Sequence, residues 1–451
     1  MQSKKQLGLF DLSMIVVSLV IGMGIFRTPV NVAAKAQIPE LFYLAWIIGG
    51  IVAYGGALIY AEIGSRFPVT GGYYKIFSAC YHPSIAFAVN GVVVLSNATA
   101  MAGVTLIGSE YLSSVIFPLP MQTDLNKILI ASTTILLIYG LNLFGLRASS
   151  KAQNILTIVK ITLVVTLISA LFFGANNVAI PPVFHTSSGN APIWSDYGKA
   201  LGICLIAVTF SFAGYTQTIN LGGEVKDAKK TIPKGIKLGL LIIILLYLLI
   251  NFTYVTVIGF EELKTANSIA AILAEKIFGP AGFTILSTVI FLSILGYVNV
   301  NLLSNPRAMF AMGEEGALPS IFAQKNKKTD VLVVSLSTFT ALVMITLFFA
   351  QTFDKILNYS IVLECIATAA SAATLFILRS KTAHLNQDDI FTIKWYPVVP
   401  ILFISFFIFV GISIYNEDPS AAINGLYIFF AFIMIYFITR IFNKKSSVNS
   451  A

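Results

Sequence analysis

A chain of 451 residues with 57% hydrophobic and only 11% charged side chains, a mean hydropathy of +0.85 and a formal charge of +9 lies outside the range of water-soluble domains. Two large soluble domains are excluded, and with roughly 20 apolar residues needed to cross a hydrocarbon core, there is room for about a dozen spans. The excess of Lys and Arg then bears first on orientation and needs no nucleic acid to explain it.

Apolar runs bounded by turn clusters predict helices near 11 to 36, 41 to 63, 84 to 112, 127 to 145, 152 to 174 and 197 to 221. Six more are predicted near 237 to 259, 280 to 304, 331 to 351, 355 to 379, 397 to 415 and 423 to 441. These are numbered here as spans 1 to 12. Lys4 and Lys5 ahead of an apolar run resemble the start of a signal peptide, but the run is too long for a signal core. Most of the 29 basic residues, including the cluster Lys226, Lys229, Lys230, Lys234 and Lys237, fall on the side of the two termini. Arg27, Lys35, Lys127, Lys199, Lys264, Lys276 and Lys355 fall on the other, and Lys160 alone lies inside a span. That asymmetry predicts a multi-pass protein of the cell membrane with both termini cytoplasmic.

Spans 1 and 6 are interrupted, by Gly22-Met23-Gly24 and by Ser211-Phe212-Ala213-Gly214. The interruptions are separated by five spans, an odd number, so a second copy of the first five would enter the membrane from the opposite side. The predicted organisation is an inverted repeat of residues 1–175 (spans 1 to 5) and 197–379 (spans 6 to 10), then 397–441 (spans 11 and 12) and a cytoplasmic tail, 442–451.

A membrane helix gives up internal hydrogen bonds only where protein or water replaces them, so an interruption at mid-depth marks a cavity. The half-helix that begins at Gly24 offers free N–H groups and the positive end of its dipole to a carboxylate. Half-helices ending near Ile21 and Phe210 offer carbonyls to an ammonium group. A zwitterionic amino acid suits both. The plainer reading is that Gly22 and Gly24 let two helices pack closely; matching interruptions in two halves favour a site.

Several separated motifs then resemble one family. Gly22-Met23-Gly24-Ile25-Phe26-Arg27-Thr28-Pro29 looks like the Gly-Ser-Gly-Ile-Phe-x-Thr-Pro signature of the amino acid-polyamine-organocation superfamily. Glu62 through Tyr73 is similar to its connection between spans 2 and 3, Glu224 through Pro233 to its loop between spans 6 and 7, and Arg307 through Pro319 to its loop after span 8. The resemblance, to the sodium-independent L-type branch, covers some 380 residues. It implies an all-α, LeuT-like fold of five-plus-five inverted repeats plus two helices, with amino acid bound between spans 1, 3, 6 and 8 and carried by alternating access. It also implies that Gly22, Met23 and Gly24 hold the carboxylate and that Phe210, Ser211 and Ala213 lie at the second break. Met23 stands where the family has serine, removing a hydroxyl donor, and Tyr215 replaces a tryptophan common in the L-type branch.

Lys160 sits about eight residues into span 5, roughly 12 Å from its end. Snorkelling to the headgroups is one reading. In sodium-independent members of the family a lysine in this place stands where relatives hold sodium, and an ammonium there would donate to carbonyls freed by the first break. Obligatory exchange and proton symport both fit. Glu364 and Glu110 are the other ionisable groups near membrane depth, and Glu364 is a candidate proton carrier. Glu62 and Glu224 read as gate or loop ion-pair partners. Asn97, Tyr297, Asn299 and Asn301 put polar groups on spans 3 and 8, either for substrate or for interhelical hydrogen bonds.

The substrate residues expected are thus Ile21, Gly22, Met23, Gly24, Asn97, Phe210, Ser211, Phe212, Ala213, Gly214 and Tyr297, with Lys160 and Glu364 for ion replacement and proton coupling. No cofactor or metal is expected: no nucleotide loop, metal cluster or nucleophile with a base is present, and Cys80, Cys204 and Cys365 have no ligand spacing. An enzyme or channel fits less well than a transporter; a polyamine or other organocation carrier and a non-transporting amino acid sensor remain as alternatives. The loop 113–126 lacks the cysteine through which mammalian L-type relatives join a heavy chain, so no disulfide-linked partner is expected.

Overall fold

The computed structural model describes residues 6–22, 24–173, 194–266, 269–349, 353–386 and 389–448. Met23, in the first interruption, and His185 lie outside them. In chain order the helices are α1 Leu9–Val20, α2 Gly24–Ala36, α3 Pro39–Arg66, α4 Gly72–Cys80, α5 Pro83–Ile116, α6 Asp124–Asn142, α7 Leu146–Ile168 and α8 Ala170–Phe173. Then come α9 Trp194–Phe212, α10 Ala228–Val257, α11 Phe260–Leu263, α12 Ile269–Phe278, α13 Gly282–Glu314, α14 Val333–Phe349, α15 Phe353–Lys381, α16 Val398–Glu417 and α17 Pro419–Val448.

Each predicted span is occupied by one of these, with α1 and α2 sharing span 1 across a 42° bend. Among the described residues eight helices are long and apolar enough to cross a membrane, nine with the bent pair, and α14 and the Ile423–Thr439 part of α17 are shorter apolar helices. Their outward faces carry Leu44, Ile51, Leu137, Ile155, Leu241, Leu402 and Met434, all exposed, as lipid-facing helices require.

Two features differ from the predicted elements. The segments between spans 2 and 3 and between spans 7 and 8 hold the short helices α4 and α12, where loops were expected. The second half of span 6 is a 3-10 helix, Tyr215–Asn220, not an α half-helix. Gly214 before it has φ +105°, a conformation open to glycine, and a Cβ there would meet the Leu19 carbonyl oxygen at 2.5 Å. A Cβ on Gly24 would lie 2.9 Å from Ser211 Oγ. The two interruptions therefore touch, and close packing and a backbone opening coexist at the same glycines.

Helix α5 packs on α13 at the centre; α1 packs on α10 and α7, while α9 packs on α3 and α15. At the end bearing the basic cluster the chain is tied shut. Leu7 and Val225 form a β-bridge, with Lys226 N donating to Leu7 O at 2.9 Å. Glu62 is fully buried there, accepting from Arg66 Nε at 2.7 Å, Arg379 Nε at 2.8 Å, Arg379 Nη2 at 2.7 Å and the Ile393 N–H at 2.8 Å. Arg307 Nε donates to Glu224 at 3.0 Å. Burial pushes the Glu224 carboxyl up while Arg307 pulls it down.

Candidate functional site

Helix α1 ends in a run, Ile15 to Val20, whose side chains are all buried. Beyond it the Ile21 N–H still reaches the Val17 carbonyl at 2.8 Å, but Gly22 N turns back to Val20 O at 2.8 Å and the helical ladder stops. The carbonyls released are taken up by side chains. Fully buried Lys160, on α7, donates from Nζ to Ile21 O at 2.5 Å, Ser18 Oγ at 3.1 Å and Ser18 O at 3.3 Å. All three ammonium hydrogens can thus be used, which a buried charge needs. Among the described residues no carboxylate forms an ion pair with it. Lys160 does not snorkel.

Tyr247 of α10 holds the two interruptions together: its hydroxyl lies 3.1 Å from Val20 O and 3.1 Å from Ser211 O. It carries one proton, so the bond is shared between the carbonyls.

Above the breaks lies a small cavity, of about 50 Å³, bounded by α1, α2, α5, α9, α13 and α15. Of the expected residues, Gly22, Gly24, Asn97, Phe210, Ser211, Ala213, Gly214, Tyr297 and Glu364 line it together. Ile21 contributes beneath it through the carbonyl held by Lys160, and Met23 lies outside the described residues. Ser96, Ala100, Val104 and Thr209 also line it and were not singled out in the sequence. Ser96, Ala100 and Val104 recur every four residues and so share one face of α5 beside Asn97, which was the available signal.

Phe212 is a correction. It does not line this cavity; its ring packs against Trp46 and Tyr247 and borders a second, more apolar chamber. Two residues along a helix turn the side chain about 200° away from Phe210. The carbonyls expected for an ammonium are also partly engaged: Ile21 O by Lys160 and Phe210 O by the Ala213 N–H at 3.2 Å. Each keeps a second lone pair.

Asn299 belongs to an interhelical network and does not line the cavity, accepting from Asn142 and donating to Gln153 and the Ser149 carbonyl. Asn301 donates to Tyr297 O at 2.9 Å, and Asn97 Nδ2 donates to Asn305 Oδ1 at 2.7 Å. Ser211 Oγ, by contrast, is buried with no hydrogen-bond partner among the described residues, next to Gly24. Glu364 lines both the main cavity and the side chamber. Glu110 borders a vestibule with Arg27 and Lys264 and lies 3.8 Å from Lys127.

A family model described as amino acid permease matches residues 7–439. The chain belongs to the amino acid permease family. As a member of that family it is a multi-span amino acid transporter. It is similar to the serine/threonine exchanger SteT of Bacillus subtilis (strain 168), with 28% identity over 437 residues that cover 94% of each chain. It is similar to the large neutral amino acids transporter small subunit 2 of Oryctolagus cuniculus, 27% identical over 441 residues, 96% of this permease and 80% of that protein. To the Asc-type amino acid transporter 1 of Mus musculus it is 23% identical over 446 residues, 98% of this chain and 82% of the relative.

Proposed function

We propose that this permease exchanges one amino acid for another across the cell membrane, without sodium, through the cavity between the two broken helices. The observation that carries the reading is the Lys160 ammonium on the Ile21 carbonyl and on Ser18. A fixed cation there does for the broken helix what a bound sodium ion would do, so no sodium is needed to hold the break. Exchange is supported by the similarity to a serine/threonine exchanger.

In this reading the substrate carboxylate sits at the N-terminus of α2, on the backbone N–H groups around Gly22 to Gly24. The unpartnered Ser211 hydroxyl beside Gly24 supplies the donor that Met23 does not. The substrate ammonium takes the second lone pairs of carbonyls at the two breaks, and Phe210 and Tyr297 flank the side chain. The packing supports an inverted repeat of residues 1–175 and 197–379: the contacts of α1 with α10 and α7 are matched by those of α9 with α3 and α15. Rocking of the two halves then opens the latched end, which the basic cluster assigns to the cytoplasm together with both termini. The absence of cysteine from 113–126 speaks against a disulfide-linked heavy chain.

The test is uptake of labelled serine, threonine, leucine and lysine into proteoliposomes loaded with unlabelled amino acid, in sodium or in choline. Uptake in choline that is faster when the lumen holds unlabelled amino acid is expected. A requirement for sodium would sink the Lys160 reading, and no uptake of any amino acid would favour a sensor or an organocation carrier.

A further inference from the structure

We propose that Glu364 carries a proton along with the substrate, and that a column of hydroxyls on α15, α3 and α4 connects it to the end of the protein closed by Glu62 and Arg379. Glu364, Thr368 and Ser371 lie four and then three residues apart on α15, so they share one face of the helix. That face is turned to Tyr60 of α3, whose hydroxyl is close to Ser371, Thr368 and Tyr73. Tyr73 of α4 stacks on Tyr60 at 6.4 Å and donates to the Ala367 carbonyl of α15 at 3.2 Å.

The hydroxyls of Tyr60, Thr368 and Ser371 are buried and complete no hydrogen bond among the described residues. Leaving a buried hydroxyl unsatisfied is costly, so three in one place are satisfied by small rotations towards one another or by ordered water. Either arrangement is a chain of O–H groups that can hand a proton along. The column starts at the cavity, runs down α15, and stops at the Tyr60–Tyr73 stack under the latch. Glu364 thus faces the substrate cavity in this state, and opening the latch extends the column to the other side.

The titratable groups facing Glu364 are Tyr60 of α3, Tyr73 of α4, Tyr215 after α9, Tyr297 of α13 and its own neighbour Cys365. From α16 come Phe403, Phe406 and Phe407, from α9 Thr209 and from α5 Ser96 and Asn97. Among the described residues no Lys, Arg or His faces it, so a proton is the cation at hand to neutralise it. Pairing with an amine on the substrate side chain would also neutralise it. That role requires only the carboxylate; Ser371 and Tyr60 lie behind it and line neither chamber.

The inference rests on the transport reading above, since a carrier that moves a proton with its substrate still exchanges substrate when both sides are loaded. It is tested with the full-length permease in proteoliposomes enclosing pyranine, supplied with labelled serine, leucine or lysine. Net uptake by the unaltered protein is expected to acidify the lumen. Thr368→Val combined with Ser371→Ala is expected to slow the proton signal by on the order of tenfold or more, with exchange at equal pH held within about twofold. Glu364→Gln is expected to abolish the proton signal. Ser371→Ala alone carries the same expectation should the double variant fail to reconstitute.

Uptake by the unaltered protein with no lumenal acidification overturns the proposal and leaves the transport reading standing. Proton movement in the hydroxyl variants at the unaltered rate also overturns it, as does a Glu364→Gln variant changed only in which amino acid it accepts. No uptake of any amino acid overturns the transport reading, and this one with it.

Discussion

Lys160 Nζ stands 2.5 Å from the carbonyl oxygen of Ile21, the first residue past the end of α1, and 3.1 Å from the hydroxyl of Ser18 within it. The ammonium therefore caps a helix that ends in the middle of the protein, where carbonyls have no water to turn to. Replacing Lys160 by Ala would leave Ile21 O and Ser18 O without this donor, at about 1–3 kcal/mol per unsatisfied group. Uptake is expected to fall by at least about tenfold, which is the rate equivalent of about 1.4 kcal/mol. Labelled amino acid uptake in choline and in sodium measures it; unchanged uptake in choline would remove Lys160 from the mechanism.

The Ser211 hydroxyl is the unbonded donor nearest the start of α2. If it completes the carboxylate cradle, Ser211→Ala removes one hydrogen bond to a charged group, worth about 1.5–3 kcal/mol. Substrate affinity is expected to weaken by about tenfold or more, read as a rise in KM with a smaller change in maximal rate. A fall in maximal rate alone would place Ser211 outside ground-state binding.

How much of this was legible in the sequence depends on the kind of signal. A cation inside an apolar span has few explanations, so Lys160 stood out, and Gly22 with Gly24 in span 1 and Gly214 in span 6 marked the breaks. Tyr247 carried no such mark: a tyrosine in the run Ile242 to Ile250 reads as an ordinary core residue, and only the fold shows its hydroxyl between Val20 O and Ser211 O. Phe212 was grouped with Phe210, but residues two apart on a helix point to nearly opposite sides, and its ring borders the side chamber. The 3-10 form of the second half of span 6 depends on how Gly214 meets Leu19, a tertiary contact that no local pattern encodes.

Tyr247→Phe tests that clamp. It deletes a hydroxyl and leaves the ring against Trp46 and Phe212, so packing is kept and the shared bond is lost. A loss of about 0.5–1.5 kcal/mol is expected, seen as a lower thermal midpoint in detergent. No shift would mean that the two carbonyls find other donors.

Gly214→Ala separates the packing role of the breaks from their opening. The position has φ +105° and faces Leu19 O at 2.5 Å, so alanine meets both backbone strain and a clash with backbone that cannot swing aside. A destabilisation above about 1–2 kcal/mol is expected. Gly411→Ala is the control, since a Cβ there meets nothing within 4 Å and its φ is ordinary. Equal midpoints for the two variants would show that the breaks are not held against each other.

The hydrogen bonds around Glu62 tie shut the end that bears the basic cluster. Both carboxylate oxygens accept two hydrogen bonds, and three elements meet there: α3 through Arg66, the end of α15 through Arg379, and the strand of chain before α16 through the Ile393 N–H. A carboxylate satisfied four times over is well bonded, and its removal takes the counter-charge from two guanidinium groups, that of buried Arg66, which also donates to Thr382, and that of Arg379, stacked at 3.7 Å on the Tyr396 ring. Breaking a buried pair by deleting one partner costs about 3–5 kcal/mol. That cost falls on the closed state alone, because in any state with this end open the guanidinium groups reach water. Glu62→Gln is therefore expected to shift the population towards the state open at the basic end, and not merely to unfold the protein. A cysteine introduced at Ser304, buried on α13 beside Gln217 and Asn220, reports this by its rate of labelling with a membrane-impermeant maleimide from that side. Faster labelling in the Glu62→Gln background is the expected result; an unchanged rate with a lowered thermal midpoint would make Glu62 a structural tie and leave the gate to Glu224 and Arg307.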